Sequence, residues 1–385
     1  MSVLKQTGRL KEIALLFLKL GLIGFGGPAA HIAMMEEEVV NRRKWMSRQH
    51  FLDLVGATNL IPGPNSTEMT MHCGHERAGW KGLFTAGACF IFPAVVLTGL
   101  FAFLYVEYGT IPAVEPFLYG IKPAVLAIIL SAIYKLGKKA LKSWQLGVIG
   151  AMVTVSSLLG VNEITAILAA GIFGMLWLGF LAGSSTDEKN RLPLLSLLFA
   201  GGGAALSTSV SNTKLFLVFL KVGAVLFGSG YVLVAYLDAE LVEKLGWLSK
   251  PQLLDAIAIG QFTPGPVLST ATFIGYQING AYGALVATLG IFLPSFFFVL
   301  LLNPIVPRLR KSPWAAAFLD AVNIGAVGVM TGVTYRLGEE VLTDWKGWLI
   351  ALLSVVISFG WKKVSSLQIV VGGAVLGYGL HLLSG

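Results

Sequence analysis

Long apolar stretches separated by short charged clusters dominate the pattern along the chain. Such stretches cover residues 83–106, 124–134, 285–302 and 349–359. Because a helix needs about 20 mostly apolar residues to cross a bilayer, the pattern predicts several membrane-spanning helices. Charged residues fill only 12% of the 385 positions, against about a quarter in an ordinary soluble domain. We therefore predict an all-α, multi-pass protein of the plasma membrane.

The first part of the chain is repeated in the second. Residues 17–70 align with residues 219–272 without a gap and are identical at 17 of 54 positions. Pro62-Gly63-Pro64 falls on Pro264-Gly265-Pro266 in this alignment, and after a shift of one residue the similarity continues through most of each half. Such self-similarity indicates an internal duplication.

Each repeat begins with two interrupted apolar segments and continues with four longer ones. The interruptions lie at Phe25-Gly26-Gly27-Pro28 and Phe227-Gly228-Ser229-Gly230, and then at the two Pro-Gly-Pro sequences. Proline and glycine end or break helices, so we predict broken or re-entrant helices there. The longer predicted spans lie near 80–106, 114–135, 143–159 and 163–181 in the first repeat and near 284–303, 314–336, 346–360 and 366–383 in the second.

Charges in matching loops predict that the two repeats are inverted. Four lysines occupy the loop 135–142, whereas the equivalent loop 336–346 mixes basic and acidic residues. Since Lys and Arg favour the cytoplasmic side, we expect the first loop in the cytoplasm and the second outside. Inversion needs an odd crossing between the repeats, which the apolar segment 192–208 supplies. The predicted organisation is a first repeat over 1–191, a linking transmembrane segment over 192–213 and a second repeat over 214–385.

Inverted repeats with broken helices are typical of secondary transporters, whose substrate site lies where the breaks meet near the middle of the membrane. The Pro-Gly-Pro sequences would free backbone amides at the start of the next helix, and such amides bind anions with help from the helix dipole. Asn65, Ser66, Thr67, Ser269 and Thr270 add polar groups beside them. Purely structural kinks remain the alternative. For the glycine-rich breaks, close helix packing and cavity-lining backbone are both open.

Three lysines are candidates for holding an anion. Lys122 lies inside an apolar span beside Pro123, and Asn323 takes its place in the second repeat. Because intramembrane charges are costly, they generally mark function, and we predict that Lys122 supplies positive charge to a bound dianion. Lys19 and Lys221 precede the glycine-rich breaks and are expected near the same region, with snorkelling to the membrane surface as the alternative.

Acidic residues near the breaks are candidates for coupling or gating. Glu68 follows Asn65 at the spacing of a helix capping box, so capping is its first interpretation and coupling its second. Asp53 and Asp255 occupy equivalent positions in the two repeats. Glu38 and Glu240 do the same and are candidates for ion pairs.

The predicted site residues fall into two groups. The substrate-binding candidates are Lys19, Gly26, Gly27, Asn59, Pro62, Gly63, Pro64, Asn65, Ser66, Thr67, Lys122, Lys221, Gly228, Ser229, Gly230, Gln261, Pro264, Gly265, Pro266, Ser269, Thr270 and Asn323. The candidates for coupling or gating are Glu68, Asp53 and Asp255.

The chain resembles the chromate ion transporter family in its long form, which fuses two homologous domains. The resemblance rests on the segments 17–21, 25–28, 62–64, 120–124, 260–266 and 271–276, and it spans nearly the whole chain. It implies chromate efflux conferring resistance, with sulfate as the natural lookalike because both are tetrahedral dianions.

Other functions are less well supported by the sequence. No nucleophile with its base recurs, as an embedded enzyme would need, and His72, His75 and Glu76 lack the further ligands of a metal site. The basic residues lie in short clusters between apolar spans, which does not suggest nucleic acid. We expect a lipid bilayer and a small inorganic oxyanion as partners, no cofactor, and leave open a homodimer and an anion channel.

Overall fold

The computed structural model describes residues 2–25, 27–58, 61–109, 115–183, 210–227, 230–302, 312–361 and 364–383. Within these ranges the chain forms helices and short connections without a strand, which confirms the predicted all-α class. The helices of the first half are α1 (Ser2–Ile23), α2 (Pro28–Met35), α3 (Arg48–Thr58), α4 (Asn65–Tyr108), α5 (Glu115–Ala140), α6 (Trp144–Leu158) and α7 (Glu163–Gly183). Those of the second half are α8 (Asn212–Val225), α9 (Leu233–Leu237), α10 (Lys250–Phe262), α11 (Thr270–Leu302), α12 (Pro313–Val341), α13 (Trp345–Gly360) and α14 (Ser366–Leu382).

The helices repeat in the same order in both halves, so α1 to α7 correspond to α8 to α14. Even local irregularities recur, since the π-helical segments Glu36–Arg42 and Asp238–Lys244 follow α2 and α9. In the described part of the chain, α4, α5, α12 and the segment Val267–Leu301 are long and apolar enough to cross a membrane. Shorter apolar helices accompany them in both halves.

Helix α4 is folded back on itself, and so is its counterpart α11. The backbone leaves helical geometry at Ala78-Gly79, where Gly79 has φ +64°, and at Asn279-Gly280, where Gly280 has φ +61°. Residues eight positions apart in a straight helix are separated by about 12 Å, yet a Cβ on Gly74 would clash with the carbonyl of Gly82. The first arm of α4 (65–77) therefore crosses the second arm (80–108) at close range.

The Pro-Gly-Pro sequences lie at the tips of re-entrant hairpins. Helix α3 has 11 residues, and the first arm of α4 is similarly short. Helices of that length extend for about 20 Å or less and cannot cross a hydrocarbon core of about 30 Å. The second half repeats this hairpin with α10 and the first arm of α11 (270–278). This arrangement confirms the predicted broken and re-entrant helices.

Later helices exchange partners between the halves. Whereas α1 packs on α4 and α8 on α11, α5 packs on α13 and α14 of the second half, and α12 packs on α6 and α7 of the first. Small residues allow this approach: a Cβ on Gly120 would clash with Gly373 and Gly377, and one on Gly174 would clash with Ala321. Close contact through small residues is typical of helix packing in membranes. The two halves therefore form one interlocked helical body.

Side-chain contacts at the helix ends show that the halves are inverted. Just beyond the carboxyl end of α5, Lys142 Nζ lies 2.6 Å from Asp320 near the start of α12. Near the start of α5, the Tyr119 hydroxyl donates a hydrogen bond to Asp344, just beyond the end of α12. The equivalent helices α5 and α12 therefore run in opposite directions, as the loop charges predict.

The loops that led to this prediction are shorter in the structure. Helix α5 continues to Ala140 and α12 to Val341, so the connections to the next helices are only 141–143 and 342–344. Arg336, assigned to a loop by the sequence pattern, is a helical residue of α12. The predicted linking crossing at 192–208 lies outside the described residues, and the side of the membrane on which each loop lies remains a prediction.

Candidate functional site

The two Pro-Gly-Pro junctions make reciprocal contacts across the interface between the halves. The Gly63 amide donates to the Leu226 carbonyl at 2.7 Å, and the Gly265 amide donates to the Gly24 carbonyl at 2.8 Å. Leu226 and Gly24 occupy equivalent positions where α8 and α1 end. When each of two partners offers the same contact to the other, a two-fold axis relates them. Each junction is thus held by the first broken helix of the opposite half.

Glycine is required at both junctions, but a side chain added there would meet different neighbours at each. Gly63 has φ +139° and Gly265 has φ +90°, conformations that side-chain-bearing residues rarely adopt. A Cβ on Gly63 would clash with Glu68 Oε1 and lie 2.7 Å from Ser295 Oγ. A Cβ on Gly265 would instead lie 3.1 Å from Ala94 Cβ. The first junction therefore faces polar side chains, and the second an apolar one.

Polar groups at the first junction lack hydrogen-bond partners. Thr67 Oγ1, both carboxyl oxygens of Glu68, and Ser295 Oγ are buried without one. Such groups are rare in folded proteins and call for an explanation, such as a ligand or water that satisfies them. We name this cluster of Gly63, Thr67, Glu68 and Ser295 the first junction pocket.

Hydroxyl groups at the second junction are satisfied locally. The Thr270 hydroxyl donates to the Val267 carbonyl at 2.8 Å, and Ser269 Oγ lies 3.4 Å from Thr263 Oγ1. The predicted equivalence of the two junctions as polar sites therefore does not extend to their side chains.

The capping role first assigned to Glu68 is wrong. Helix α4 begins at Asn65 with Pro64 as its N-cap, and no side chain caps it. Asn65 is consequently the first helical residue rather than the cap, which shifts Glu68 beyond the capping-box position. The carboxyl group turns instead toward the first junction pocket, where it is fully buried.

Lys122 meets Asp255 between the halves. Its ammonium lies 3.7 Å from Asp255 Oδ1, and the Tyr105 hydroxyl donates to Asp255 Oδ2 at 2.8 Å. These three residues come from α5, α10 and the second arm of α4. The lysine predicted to face a dianion thus balances a carboxylate that is 5% exposed. Its counterpart Asn323 is half-buried on α12.

Lys19 and Lys221 form the same ion pair in both halves. Lys19 Nζ lies 3.1 Å from Glu38, and Lys221 pairs with Glu240. Each pair joins the first helix of its half to the π-helical segment, so the ion pairing expected of Glu38 and Glu240 is present. The pairs support the broken segments on which the junctions rest.

The remaining predicted residues are placed as follows. Gly26, Asn59, Gly228 and Ser229 lie outside the described residues. Asp53 lies on α3, 3.5 Å from the Gln49 side-chain amide. Gly27 has φ +78° and faces the Tyr231 hydroxyl, and Gly230 begins a 3-10 turn. Buried or half-buried positions along the two junctions hold Pro62, Pro64, Asn65, Ser66, Gln261, Pro264 and Pro266.

Two features escaped the sequence analysis. Ser295 aligns with Ala94, next to the matched prolines Pro294 and Pro93, and only this difference between the repeats could have revealed it. Arg336 is the other: it lies 2.9 Å from both Glu163 and Glu243 and 3.5 Å from Asp238. Lys135, the equivalent residue of the first repeat, is exposed, so the cluster around Arg336 is not repeated there.

Two inverted, interlocked halves with re-entrant breaks at their shared interface are an architecture typical of membrane transporters. The chain belongs to the chromate transporter family, whose model matches residues 11–175 and 213–378. The match in each half agrees with the duplication found in the sequence. The protein is therefore a multi-pass membrane transporter of anions and not an enzyme.

Named relatives agree with this assignment. The chromate transport protein of Cupriavidus metallidurans is 30% identical over 376 residues, covering 96% of this chain and 93% of the relative. That of Pseudomonas aeruginosa is 30% identical over 374 residues, covering 94% and 89%. The uncharacterized transporter YwrA of Bacillus subtilis is 26% identical over 172 residues, which cover 43% of this chain and 95% of the relative. No solved structure matches the chain.

Proposed function

We propose that this protein exports a tetrahedral oxyanion such as chromate, with sulfate as a second substrate of the same shape and charge. Relatives that match over most of their length and are named chromate transport proteins support this choice of substrate. The observation that carries the proposal is the first junction pocket, because it combines unsatisfied buried hydroxyl groups with the start of a helix at the interface of the halves.

The chemistry of the pocket suits an oxyanion. The hydroxyl groups of Thr67 and Ser295 can donate hydrogen bonds to its oxygens, and the amides at the start of α4 add the positive end of the helix dipole. The dipole contributes only about half a charge, so a dianion needs further compensation. Lys122 is a source of it, provided that the anion draws the ammonium away from Asp255 during the cycle.

The reciprocal junction contacts suit alternating access. Rocking of one repeat against the other around a fixed site exposes that site to each side of the membrane in turn. Because each junction is bonded to the opposite half at Leu226 or Gly24, movement of the halves must alter both junctions together.

Uptake into proteoliposomes tests the proposal. Chromate and labelled sulfate are offered to the purified protein under an imposed membrane voltage, and initial rates are measured against anion concentration. We expect saturable uptake of chromate with competition by sulfate. Ser295→Ala, which copies the Ala94 of the other junction, should weaken the apparent affinity about tenfold, corresponding to about 1.4 kcal/mol. Flux that rises linearly without saturation would instead indicate a channel, and no flux of either anion would refute the proposal.

A further inference from the structure

Glu68 is a buried carboxyl group at the first junction pocket. Its side chain is fully buried and neither oxygen has a hydrogen-bond partner. The carboxyl lies against Gly63, with Ser295 Oγ on the same side. The equivalent residue of the second half is Thr270, so the group occurs in one junction only.

Among the described residues, no ion pair reaches Glu68. Helices α1, α2, α3, α10 and α11 pack on α4, and the ionisable groups on them are directed elsewhere. Lys19 pairs with Glu38, Glu12 with Arg77, Arg48 with Glu36, His50 with Glu76, Asp255 with Lys122, and His31 bonds the Gly24 carbonyl. The other ionisable side chains of these helices include Arg9, Lys11, Asp53, Lys250, Tyr276 and Tyr282, none of which forms a hydrogen bond with Glu68. An ionised carboxylate without a donor or counter-charge is too costly to bury, so the group carries a proton in this conformation.

A stripe of ionisable side chains connects this carboxyl to the surface. Glu68, His72 and Glu76 follow each other at intervals of one helical turn along the first arm of α4, and side chains at this spacing are neighbours. His72 is 1% exposed and neither ring nitrogen has a hydrogen-bond partner. Glu76 is 35% exposed and lies 3.3 Å from His50 Nε2, which is 45% exposed. Chains of acidic and histidine side chains within membranes are a recurrent form of proton relay.

The stripe has no counterpart in the second half. Thr270 and Gln277 replace the two carboxyl groups, and no histidine lies between them. Close helix packing would not require ionisable groups at three successive turns in one repeat and none in the other. The difference is explained if a single proton path leads to a single junction.

We propose that Glu68 carries a coupling proton, exchanged with water through His72 and Glu76, and that the anion and this proton are transported together. The inference rests on the proposed function. A dianion next to an ionised Glu68 would be repelled, whereas the protonated group removes that charge and offers an O–H donor. Proton and anion therefore favour each other's binding, and each proton accepted from one side is released to water on the other. A dianion moving with one proton carries a single net negative charge, so a membrane potential that is negative inside can still drive the proposed export.

The wild-type protein provides the first test. Proteoliposomes are held at zero voltage, a sulfate gradient is imposed, and internal pH is followed with a trapped dye. We expect sulfate entry to acidify the lumen, and an inward proton gradient to raise the initial rate of sulfate uptake several-fold. If voltage drives sulfate or chromate but neither pH effect appears, this inference fails while the proposed function stands. If no anion moves under any gradient, the proposed function itself fails.

Two test variants and one control variant then test the residues. Glu68→Gln keeps the shape and hydrogen-bonding capacity of the neutral carboxyl, and the ratio of rates with and without the pH gradient should fall to about one. Glu107→Gln, at the exposed far end of the same helix, should keep the wild-type ratio. His72→Gln leaves the carboxyl in place and should slow sulfate-driven proton entry. A full pH response in Glu68→Gln or unchanged proton entry in His72→Gln would overturn the assignment, with gel filtration as the control for folding.

Discussion

Charged residues near the junctions divide into those that recur in both halves and those that occur once. The pairs Lys19–Glu38 and Lys221–Glu240 recur and join helices within their own half. Lys122, in contrast, has an uncharged counterpart and reaches a carboxylate of the opposite half. A support needed by each half should be duplicated with it, whereas a single anion site needs its special groups only once. The unrepeated residues are therefore the better candidates for transport.

Variants of Lys122 distinguish a role in anion binding from a structural role in the ion pair with Asp255. Lys122→Ala leaves Asp255 buried without a counter-charge, and removing one partner of a buried pair costs about 3 kcal/mol. In Lys122→Ala/Asp255→Ala, thermal stability in detergent should return toward that of the wild type. If Lys122 also holds the anion, sulfate uptake should stay low in the double variant and in Lys122→Gln, and only Lys122→Arg should retain part of it. Recovery of uptake together with stability would reduce Lys122 to a structural role.

Gly63 tests the geometry of the first junction. An alanine there must adopt a positive φ at a cost of about 1–2 kcal/mol and would clash with Glu68 and Ser295. We expect Gly63→Ala to lower the unfolding temperature in detergent and to impair uptake more than Gly265→Ala. The backbone of Gly265 also has a positive φ, but its added methyl would lie 3.1 Å from Ala94 Cβ and 3.5 Å or more from its other neighbours. Gly379→Ala is the control, since nothing lies within 4 Å of its added methyl. Equal uptake in all three variants would contradict the proposed pocket.

The sequence identifies the two junctions but not the contacts that nearby side chains make. Pro-Gly-Pro is visible because proline and glycine act through local backbone geometry, which the order of residues encodes. The pairing of Lys122 with Asp255 is not, because it depends on how helices from opposite halves meet. The capping interpretation of Glu68 took Asn65 as the N-cap residue. It is wrong by one position, because Asn65 is already the first residue of α4.

Among the helices, the antiparallel course of α5 and α12 makes a direct prediction about topology. Their outgoing turns, 141–143 and 342–344, should lie on opposite sides of the membrane. Single cysteines at the exposed positions Leu141 and Thr343, in a chain whose Cys73 and Cys89 are replaced by alanine, should react with a membrane-impermeant reagent from opposite sides. Labelling of both from one side would disprove the inverted arrangement. If Leu141→Cys is reached only after permeabilising whole cells, the cytoplasmic assignment of that turn is also correct.

Apolar runs in the sequence located the long helices well but did not predict the fold-back of α4 and α11. Runs of apolar residues report membrane spans directly, because polar and ionisable side chains are costly inside the membrane. The corner at Ala78-Gly79 has only one glycine as its signal, and isolated glycines are common in membrane helices. The close crossing of Gly74 and Gly82 appears only when both arms are placed.

For the molecule as a whole, partner exchange between the halves means that neither half completes its own packing. Helix α5 finds its main partners in the second half, and α12 finds its own in the first. We expect a chain divided between residues 209 and 210 to assemble when both parts are expressed together. A tag on the second part should then recover the first, while either part alone should aggregate in gel filtration.

Substitutions in one small-residue contact provide the control for this experiment. Gly120→Leu would clash with Gly373 and Gly377 across the interface and should reduce recovery of the first part. Gly372→Leu, at a position with nothing within 4 Å, should leave it unchanged. Two parts that are each monodisperse alone would show that the halves are independent, contrary to the exchanged packing.

Joining the halves in one polypeptide also changes how the protein can evolve. A relative such as YwrA is matched over 95% of its length by 172 residues of this chain, so one repeat can exist as a gene product of its own. In a pair of identical subunits every mutation appears twice, and a new carboxyl or serine would enter both junctions at once. After duplication and fusion, Glu68 can stand opposite Thr270 and Ser295 opposite Ala94. Selection can then specialise one junction while the other keeps its backbone hydrogen bond to the opposite half.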